Sequence, residues 1–449
     1  MAINFDPDRS GYKQALGFSC SSEHMRILLA NYRYFVSGGP ERYMFNMTDA
    51  LMARGHEIIP FSIRYTRNLP TPYARYFVDP LGSEDEVLFR EQRLTPRTLW
   101  RTLVRLFYAP DVERAVIRIA ADTKPQVAYV LHYLRKLSPS LLVGLKKAGL
   151  PIVVRLSDYA MLCPQSHCLR DGVPCELCLR GNLWSSVRHR CVQGSLAASV
   201  LNALATWDHR FRRYFDLIDV FVTTNQFMYC MMVSAGFPER RLRCIPTFVD
   251  GEAFRPNPGF AKDGYIAYAG RLEEIKGVHI LVDALGVLYR QRPDLNLGVK
   301  VAGSGNEKYM AMLKQRVWDL DLQDLVQFVG ELDVNELASL LSKALVSVIP
   351  SLWYENLPNS ILESYACGTP VLASNLGSLT ECIEDGETGY LFRPGDAHSL
   401  AERLEHCLDH PHQVAYMAQK ARQVAEEVYS PQRHVMALEE LFNELTQGL

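Results

Sequence analysis

The sequence predicts an α/β protein made of two doubly wound, Rossmann-like domains. Its 449 residues are more than one hydrophobic core normally organises, so two domains are expected. Short apolar runs alternate with segments of helical periodicity, which is the pattern of strands and helices in parallel sheets. This alternation pauses at residues 257–264, which contain a proline and two glycines, and then begins again.

The predicted domain boundaries follow from that pause. Residues 1–24 form an N-terminal extension and residues 25–256 the first domain. A hinge at residues 257–264 leads to the second domain at residues 265–428, and residues 429–449 form a C-terminal helix.

In the first domain, strands are predicted at residues 25–31, 58–63, 126–131, 152–156 and 220–223, with helices at about 40–54, 138–148 and 195–214. Gly38 and Gly39 follow the first strand. Paired glycines let a backbone approach a ligand closely, and a simple turn is the alternative. His132 follows the third strand, where a structural histidine is the alternative to a binding role.

In the second domain, strands are predicted at residues 265–268, 298–301, 326–329, 344–349 and 371–373, and helices at residues 278–291, 360–367, 397–409 and 411–445. Arg271 and Lys276 come just after the first of these strands. Their charges could hold a diphosphate, whereas solvated surface positions are the alternative. Gly303 opens a Gly-Ser-Gly segment after the second strand, which is either a turn or a ligand-binding loop.

Two glutamates follow the strand at residues 344–349. Glu355 lies in the loop after this strand, and Glu363 lies on the next helix. A helix N-terminus beyond the carboxyl end of a strand favours an anion such as a diphosphate, and nearby carboxylates could bind sugar hydroxyls. The alternative is that both are ordinary surface acids.

These motifs together resemble the family 4 retaining glycosyltransferases, which have the GT-B fold. The run from Glu355 to Gly377, followed by Glu381 and the segment 385–389, looks like the donor-site signature of that family. The Ala-Gly-Arg-Leu-x3-Lys-Gly motif that contains Arg271 and Lys276 is similar to another of its motifs. The resemblance extends over nearly the whole chain after about Met25.

The resemblance implies a GT-B fold, with two domains facing across a cleft and a last helix that returns to the first domain. The implied reaction moves a sugar from a nucleotide-diphosphate sugar to an acceptor hydroxyl with retention of configuration. The implied setting is assembly of a cell-surface polysaccharide or glycolipid, on an acceptor glycan or lipid-linked glycan, at the inner membrane face. With cationic side chains neutralising the diphosphate, no cofactor is required for catalysis.

The resemblance also implies a role for each candidate residue. Glu355 holds the hydroxyls of the donor sugar and, with His132, is expected to be catalytic. The expected donor-binding residues are Arg271 and Lys276 at the diphosphate, Glu363 at the ribose, and Gly38, Gly39, Gly303, Asn356, Leu357, Pro358 and Asn359. Asp158 is a candidate on the acceptor side, although it follows Ser157 where relatives commonly have a histidine.

Four cysteines form a second pattern. Cys163, Cys175, Cys178 and Cys191 have the spacing C-x11-C-x2-C-x12-C, and this segment resembles a subset of the same family. Thiolates at such spacing can close a tetrahedral structural zinc site, which would have no open position for chemistry. The alternative is a loop of buried free thiols.

Composition and charge argue against nucleic-acid-binding, membrane-spanning and secreted proteins. A formal net charge of -2 argues against a nucleic-acid-binding protein. No apolar run approaches the roughly 18 residues of a membrane span, and the first 22 residues lack a signal-peptide pattern, so a cytoplasmic location is expected.

Arg97, Arg101 and Arg105 recur at helical spacing among apolar residues. Such a helix either contacts an anionic membrane as a peripheral element or packs on its own domain.

Two other functions remain open from the sequence alone. A nucleotide-sugar epimerase of similar fold would isomerise the donor without an acceptor, and a non-catalytic zinc-stapled scaffold would bind partners through the cysteine segment. The residues do not indicate which base, sugar or acceptor is used.

Overall fold

The computed structural model describes residues 24–85, 95–256, 264–295 and 297–447. The predicted N-terminal extension and most of the predicted hinge therefore lie outside the described residues. The chain divides into two compact units. The N-terminal unit contains the described residues up to 168, residues 176–245 and residues from 434 onward. The C-terminal unit contains residues 169–175 and 246–433.

The N-terminal unit is built on a six-stranded parallel sheet. Its strands are β1 Arg26–Ala30, β2 Glu57–Phe61, β3 Val127–Val130, β4 Ile152–Arg155, β7 Val220–Thr223 and β8 Leu242–Cys244, numbered with all strands in chain order. They lie in the order β2-β1-β3-β4-β7-β8, so the first strand sits between the second and the third. Every residue of β3, β4 and β7 is buried, which is why these strands are almost wholly apolar.

The helices of this unit connect its strands. They are α1 Gly39–Ala53, α2 Pro96–Phe107, α3 Pro110–Thr123, α4 Ser140–Lys147, α5 Trp184–Arg188, α6 Leu196–Phe211 and α7 Gln226–Ser234. A short antiparallel hairpin, β5 Leu169–Arg170 and β6 Val173–Pro174, interrupts the chain after β4.

The C-terminal unit contains a second six-stranded parallel sheet. Its strands are β9 Ile266–Ala269, β10 Val299–Ala302, β11 Val326–Gly330, β12 Val346–Ile349, β13 Val371–Ser374 and β14 Gly389–Phe392. They lie in the order β11-β10-β9-β12-β13-β14. Its helices are α8 Val278–Gln291, α9 Glu307–Asp319, α10 Val334–Lys343, α11 Asn359–Ala366, α12 Leu379–Cys382, α13 Ala397–Asp409 and α14 Pro411–Glu427.

Helices cover both faces of this second sheet. Ile266 and Tyr268 of β9 belong to one apolar core, whereas the adjacent Tyr265 and Ala267 belong to another. Since successive side chains of a strand point to opposite faces, two cores on one strand mean that both faces are buried. The unit is therefore a doubly wound α/β sheet, as the sequence predicts.

The C-terminal segment differs from the sequence prediction of one helical stretch at residues 411–445. The structure has two helices there, α14 and α15 Pro431–Gln447. The interruption lies just before Pro431, because proline cannot donate a backbone hydrogen bond and disfavours helical geometry in the residue before it. Among the described residues, no helix combines the length and the hydropathy that crossing a membrane requires.

Candidate active site

The sheet order of the C-terminal unit creates a place for a ligand. From β9 the chain first adds β10 and β11 on one side, and it later adds β12, β13 and β14 on the other. The loops after β9 and β12 therefore lead away from each other at the carboxyl edge of the sheet. In open α/β sheets, such a reversal of strand order is the usual ligand site.

The two loops at this position are joined by an ion pair. Lys276, in the loop after β9, places its Nζ 2.7 Å from Oε1 of Glu355 in the loop after β12. The same Oε1 accepts hydrogen bonds from Ser351 Oγ at 2.6 Å and from Trp353 Nε1 at 2.9 Å. The Lys276 ammonium also lies 5.2 Å from the centre of the Trp353 ring. The structure thus brings two of the predicted site residues into direct contact.

This environment keeps Glu355 ionised. Glu355 is only 5% exposed, and burial by itself raises the pKa of a carboxyl group. The charge of Lys276 and the hydrogen bonds from Lys276, Ser351 and Trp353 act in the opposite direction and outweigh burial, so the pKa of Glu355 lies below its ordinary value. A buried carboxylate held in one orientation can accept hydrogen bonds from sugar hydroxyls with little further ordering.

Gly277 explains how the two loops come so close. Its φ is +69°, and a Cβ added there would lie 1.9 Å from the carbonyl oxygen of Pro350. The Leu352 backbone N–H donates to the Ile275 carbonyl at 2.9 Å. A side chain at Gly277 would push apart the segments that carry Lys276 and Glu355.

The loop that contains Arg271 is held in place by a hydrogen bond from Tyr268 and by a close backbone contact with Gly303. Tyr268 donates its hydroxyl hydrogen to the Arg271 carbonyl at 2.8 Å. A Cβ on Gly303 would lie 1.9 Å from the Gly270 carbonyl, so Gly303 is needed for contact between the loops after β9 and β10. The Arg271 guanidinium is itself exposed and contacts Glu273 at 2.8 Å. Gly303 thus supports the Arg271 loop, and its predicted contact with a nucleotide stays a prediction.

The four residues after Glu355 lead into the first turn of α11, and Glu363 lies in the middle of this helix. Pro358 precedes the helix, which begins at Asn359, one residue earlier than predicted. Asn356, Leu357, Pro358 and Asn359 are partly buried, and Glu363 is 5% exposed. The N-terminus of α11 therefore lies at the same edge as the Lys276–Glu355 pair and can attract an anion.

The N-terminal unit has a comparable edge at β1 and β3. Asn31, just after β1, accepts a hydrogen bond from the His132 backbone N–H at 3.1 Å, and Tyr32 N–H donates to the His132 carbonyl at 3.1 Å. The Tyr32 and His132 rings meet edge to face, with centroids 6.0 Å apart. His132 Nε2 lies 4.0 Å from Asp158 Oδ2. His132 and Asp158, two predicted residues, are therefore neighbours.

Burial lowers the pKa of His132 below its ordinary value. The charges of Asp158 and Glu41 act to raise it but do not compensate. The imidazole is therefore neutral near pH 7, with one nitrogen able to donate a hydrogen bond and the other able to accept one.

Gly38 and Gly39 lie at the start of α1 in the same unit. Gly38 has a φ of 175°, which any residue can adopt, and a Cβ there would meet nothing closer than 3.8 Å. The preceding loop is held by Arg33, whose guanidinium donates to Ser37 at 2.7 Å and to Glu41 at 3.3 Å. The prediction that these glycines admit a ligand stays a prediction.

The cysteine segment shows a pair of interacting thiols. Cys168 donates to Cys163, and this hydrogen bond is the main cause that lowers the pKa of Cys163 to about 6; it also raises the pKa of Cys168. Cys175 belongs to the C-terminal unit, whereas Cys178 and Cys191 belong to the N-terminal unit. Within the described ranges, no three His, Cys, Asp or Glu side chains are grouped in a way that could hold a metal ion.

Comparison with known proteins identifies the family. The model of the family "Glycosyl transferases group 1" matches residues 250–424, which include the Lys276–Glu355 pair. The glycogen synthase of Mycobacterium tuberculosis is 37% identical over 413 residues, which cover 89% of this chain and 90% of the relative. The chain belongs to the group 1 glycosyltransferases. A D-inositol 3-phosphate glycosyltransferase of Paenarthrobacter aurescens is 33% identical over 218 residues, or 46% of this glycosyltransferase and 53% of the relative.

Solved structures confirm the GT-B fold of this glycosyltransferase. Sucrose-phosphate synthase from Thermosynechococcus elongatus gives a TM-score of 0.70 at 19% identity, covering 95% of this chain and 100% of the other. Anabaena HepE, solved in complex with UDP, gives a TM-score of 0.65 at 19% identity, covering 94% of this chain and 100% of the other.

Three residues of the glycosyltransferase site were not predicted from the sequence. Ser351 and Trp353 both donate to Glu355, and Tyr268 fixes the Arg271 loop. The only feature of the sequence that could have indicated their role is that each lies within a few residues of a strand end. Serine, tryptophan and tyrosine in loops are common, however, and only the folded loop shows which of them reach the carboxylate.

Proposed function

We propose that this glycosyltransferase binds a nucleotide-diphosphate sugar at the carboxyl edge of β9 and β12 and transfers its sugar to an acceptor hydroxyl with retention of configuration. The observation that carries this proposal is the Lys276–Glu355 pair, in which Glu355 is buried and Lys276 is partly buried. It places a cation and an ionised carboxylate at the point where the strand order reverses.

The chemistry of the donor suggests which residues bind its phosphates and which bind its hydroxyl groups. When the bond between the sugar and the diphosphate breaks, negative charge develops on the departing phosphate. Lys276, which has three N–H donors, can offer one to Glu355 and others to a phosphate. Arg271 is exposed on the neighbouring loop and can add a bidentate contact, and the N-terminus of α11 adds a favourable field. These groups supply the charge stabilisation that the leaving group needs.

The carboxylates act on the hydroxyl groups of the donor. We assign the sugar hydroxyls to Glu355, because its carboxylate is buried and held by three donors. We assign the ribose hydroxyls of the nucleotide to Glu363, which lies on α11, the helix that follows the loop of Glu355. His132 remains a predicted catalytic residue, and as a neutral imidazole it would exchange hydrogen bonds rather than charge with a sugar.

The proposed acceptor follows from the resemblance of the chain to known glycosyltransferases. We propose a hexosyl or related transfer to a glycan or a lipid-linked glycan during assembly of a cell-surface polysaccharide or glycolipid, in the cytoplasm at the inner membrane face. Structures of Anabaena HepE hold UDP, UDP with glucose, and UDP-glucose, so UDP-glucose is a reasonable first donor to test.

We also propose a structural zinc site at Cys163, Cys175, Cys178 and Cys191, with no role in catalysis, although the described structure groups no three of these side chains around a metal position. The support for it is the spacing of the four cysteines. Metal analysis of protein purified without chelators is expected to give about one zinc per chain. A content near zero would contradict this proposal and favour the alternative of free thiols.

The test of the proposed function is a donor screen. The protein is incubated with UDP-, GDP- and ADP-sugars and candidate acceptors, and both nucleotide release and glycosylated product are measured. One donor is expected to give product, and Glu355→Ala is expected to lose at least about 100-fold in kcat, the size of effect typical for groups that stabilise a transition state.

The surface variant Glu402→Gln, in the same unit, serves as the control and should leave the rate unchanged. Full activity in Glu355→Ala would contradict the proposal. Conversion of the donor to an isomeric nucleotide sugar, without acceptor, would show an epimerase instead.

A further inference from the structure

Helix α6 of the N-terminal unit exposes large apolar residues and buries small or polar ones, the reverse of the usual arrangement. The residues that it buries are small or polar: Ser199, Ala203, Ala205, Thr206 and His209. Large apolar residues lie on its exposed side at positions 196, 204, 207 and 211. Their spacing of eight, three and four residues places them along one helical stripe. A helix of a water-soluble domain normally turns such a stripe inward.

Two aromatic residues dominate this stripe. Phe211 is 70% exposed, and its ring stacks on that of Trp207 with centroids 5.1 Å apart and planes at 12°. The stacking holds a flat aromatic surface outside the unit rather than filling its core. Exposed aromatic surface of this kind indicates a site of contact with another protein, a membrane or a ligand.

The neighbouring helix α2 shows the same reversal. Leu99, Leu103 and Trp100 are exposed, with Trp100 at 68%. Arg105, in contrast, is buried and pairs with Asp111 at 2.6 Å. The sequence left open whether this helix packs on its own domain or contacts a membrane. The structure shows that the helix packs through Arg105 and Leu106, which are both buried, and keeps Leu99, Trp100 and Leu103 exposed.

The two reversed helices pack against each other. His209 of α6 is hydrogen bonded through Nε2 to the Leu106 carbonyl of α2 at 2.8 Å. The exposed residues of both helices therefore belong to neighbouring elements of one unit. We call Leu99, Trp100, Leu103, Leu204, Trp207 and Phe211 the aromatic surface.

The chain around the aromatic surface is positively charged. Residues 184–216 contain five arginines and two aspartates, an excess of three positive charges. The segment of α2, residues 96–107, contains three arginines and no acid, but one of the three, Arg105, is buried and paired with Asp111. Arg212 and Arg213 lie directly after Phe211, and both are exposed although each contacts an aspartate, Asp208 and Asp216 respectively.

We propose that the aromatic surface docks the protein on an anionic lipid bilayer. Tryptophan, phenylalanine and leucine enter the boundary between headgroups and acyl chains, while the arginines contact lipid phosphates. Charge favours this occupant over a second copy of the chain, because a symmetric dimer through this face would bring the same arginines together. The proposal is independent of which sugar is transferred.

The experiment measures binding of the full chain to vesicles by sedimentation. Vesicles of phosphatidylcholine are compared with vesicles that also contain phosphatidylglycerol. The wild type is expected to bind the anionic vesicles and to be released by salt. The variant Trp100→Ser/Trp207→Ser/Phe211→Ser is expected to bind at least about tenfold more weakly, because it loses most of the inserted apolar area.

Two further variants complete the design. Trp318→Ser removes a tryptophan that is equally exposed, at 65%, but lies on α9 of the other unit, and it should bind as the wild type does. Arg212→Glu/Arg213→Glu should remove the preference for anionic vesicles even if the triple variant were to lose stability.

Absence of wild-type binding to anionic vesicles would overturn the proposal, as would unchanged binding by the triple variant. A wild-type dimer that dissociates when the aromatic surface is changed, measured by light scattering without lipid, would show a protein interface instead and would also overturn it.

Discussion

At the scale of single residues, Glu355 depends on three donors that come from two loops. Glu355→Gln keeps the shape of the side chain but removes its charge, which leaves Lys276 without its buried partner. We expect a loss of about 2 kcal/mol or more in the free energy of unfolding of the C-terminal unit, because breaking one side of a buried pair is costly. Urea unfolding beside Glu402→Gln measures this; equal stability of the two variants would show that the pair is not formed.

Gly277 offers a second residue-scale prediction with an internal control. Gly277 and Gly330 both have positive φ, +69° and +76°, but only Gly277 has backbone within reach of an added Cβ. Gly330→Ala should cost about 1–2 kcal/mol from the left-handed conformation alone. Gly277→Ala should cost at least about 2 kcal/mol more, because the Pro350 carbonyl must move. Similar values for both variants, measured by urea unfolding, would argue against the close contact of the two loops.

His132 leads to a prediction about pH. Its pKa is lowered in the folded state, so below its ordinary value of 6.5 the unfolded chain binds a proton more readily than the folded one. The stability that His132 contributes is therefore present above pH 6.5 and decreases as the pH falls toward the folded pKa. His132→Gln should show a smaller decrease in unfolding free energy between about pH 7.5 and 5.5 than the wild type. Identical pH profiles would contradict the partly buried, neutral state of His132.

The residues show where sequence reasoning reached its limit. Lys276 and Glu355 are 79 positions apart, yet their motifs allowed both to be predicted for one site because each follows a strand end. Ser351, Trp353 and Tyr268 have no such motif, and their roles depend on loop conformations that only the folded chain shows. Gly303 was predicted for its ligand, whereas the structure assigns it a contact with the Gly270 carbonyl.

At the scale of secondary-structure elements, a buried carboxylate of α15 pairs with two basic side chains of the N-terminal unit. Glu439 contacts Arg54 at 2.5 Å and His56 at 2.8 Å. Burial acts to raise the pKa of Glu439, but the hydrogen bonds from Arg54 and His56 outweigh it and the pKa lies below its ordinary value.

Glu439→Gln should therefore destabilise the N-terminal unit by about 3 kcal/mol, because two donors lose a charged partner. The adjacent Glu440 is exposed, and Glu440→Gln should change stability by less than about 0.5 kcal/mol. Thermal unfolding of the two variants makes the comparison. Equal melting temperatures would mean that the contacts of Glu439 with Arg54 and His56 do not stabilise the position of α15.

The elements themselves were largely predictable. Buried parallel strands are short apolar runs, and six-stranded sheets repeat that signal many times, so most strands were placed within about two residues of their observed ends. The edge strands β8 and β14 were missed. Helix α6 was predicted, but not its reversed polarity, since periodicity locates an apolar stripe without indicating whether it faces the core or the solvent.

At the scale of the whole molecule, the proposed function requires a nucleotide diphosphate to bind at the point in the C-terminal sheet where the strand order reverses. The doubly wound fold provides that position twice, and among the described residues only the second sheet carries a lysine and a carboxylate paired across it. Fold alone would not assign the donor to this unit, and our proposal that it binds here is based on these paired charges.

The most direct measurement is thermal unfolding with UDP, GDP, ADP and their sugar conjugates. A ligand at about 100 times its Kd adds about 2.7 kcal/mol to the stability of the state that binds it. We predict that one nucleotide raises the Tm of the wild type and of the control Lys308→Ala/Lys314→Ala, whose lysines are exposed on α9. It should raise the Tm of Arg271→Ala and of Arg271→Ala/Lys276→Ala far less. A nucleotide that stabilises the wild type and these two site variants equally would contradict the claim.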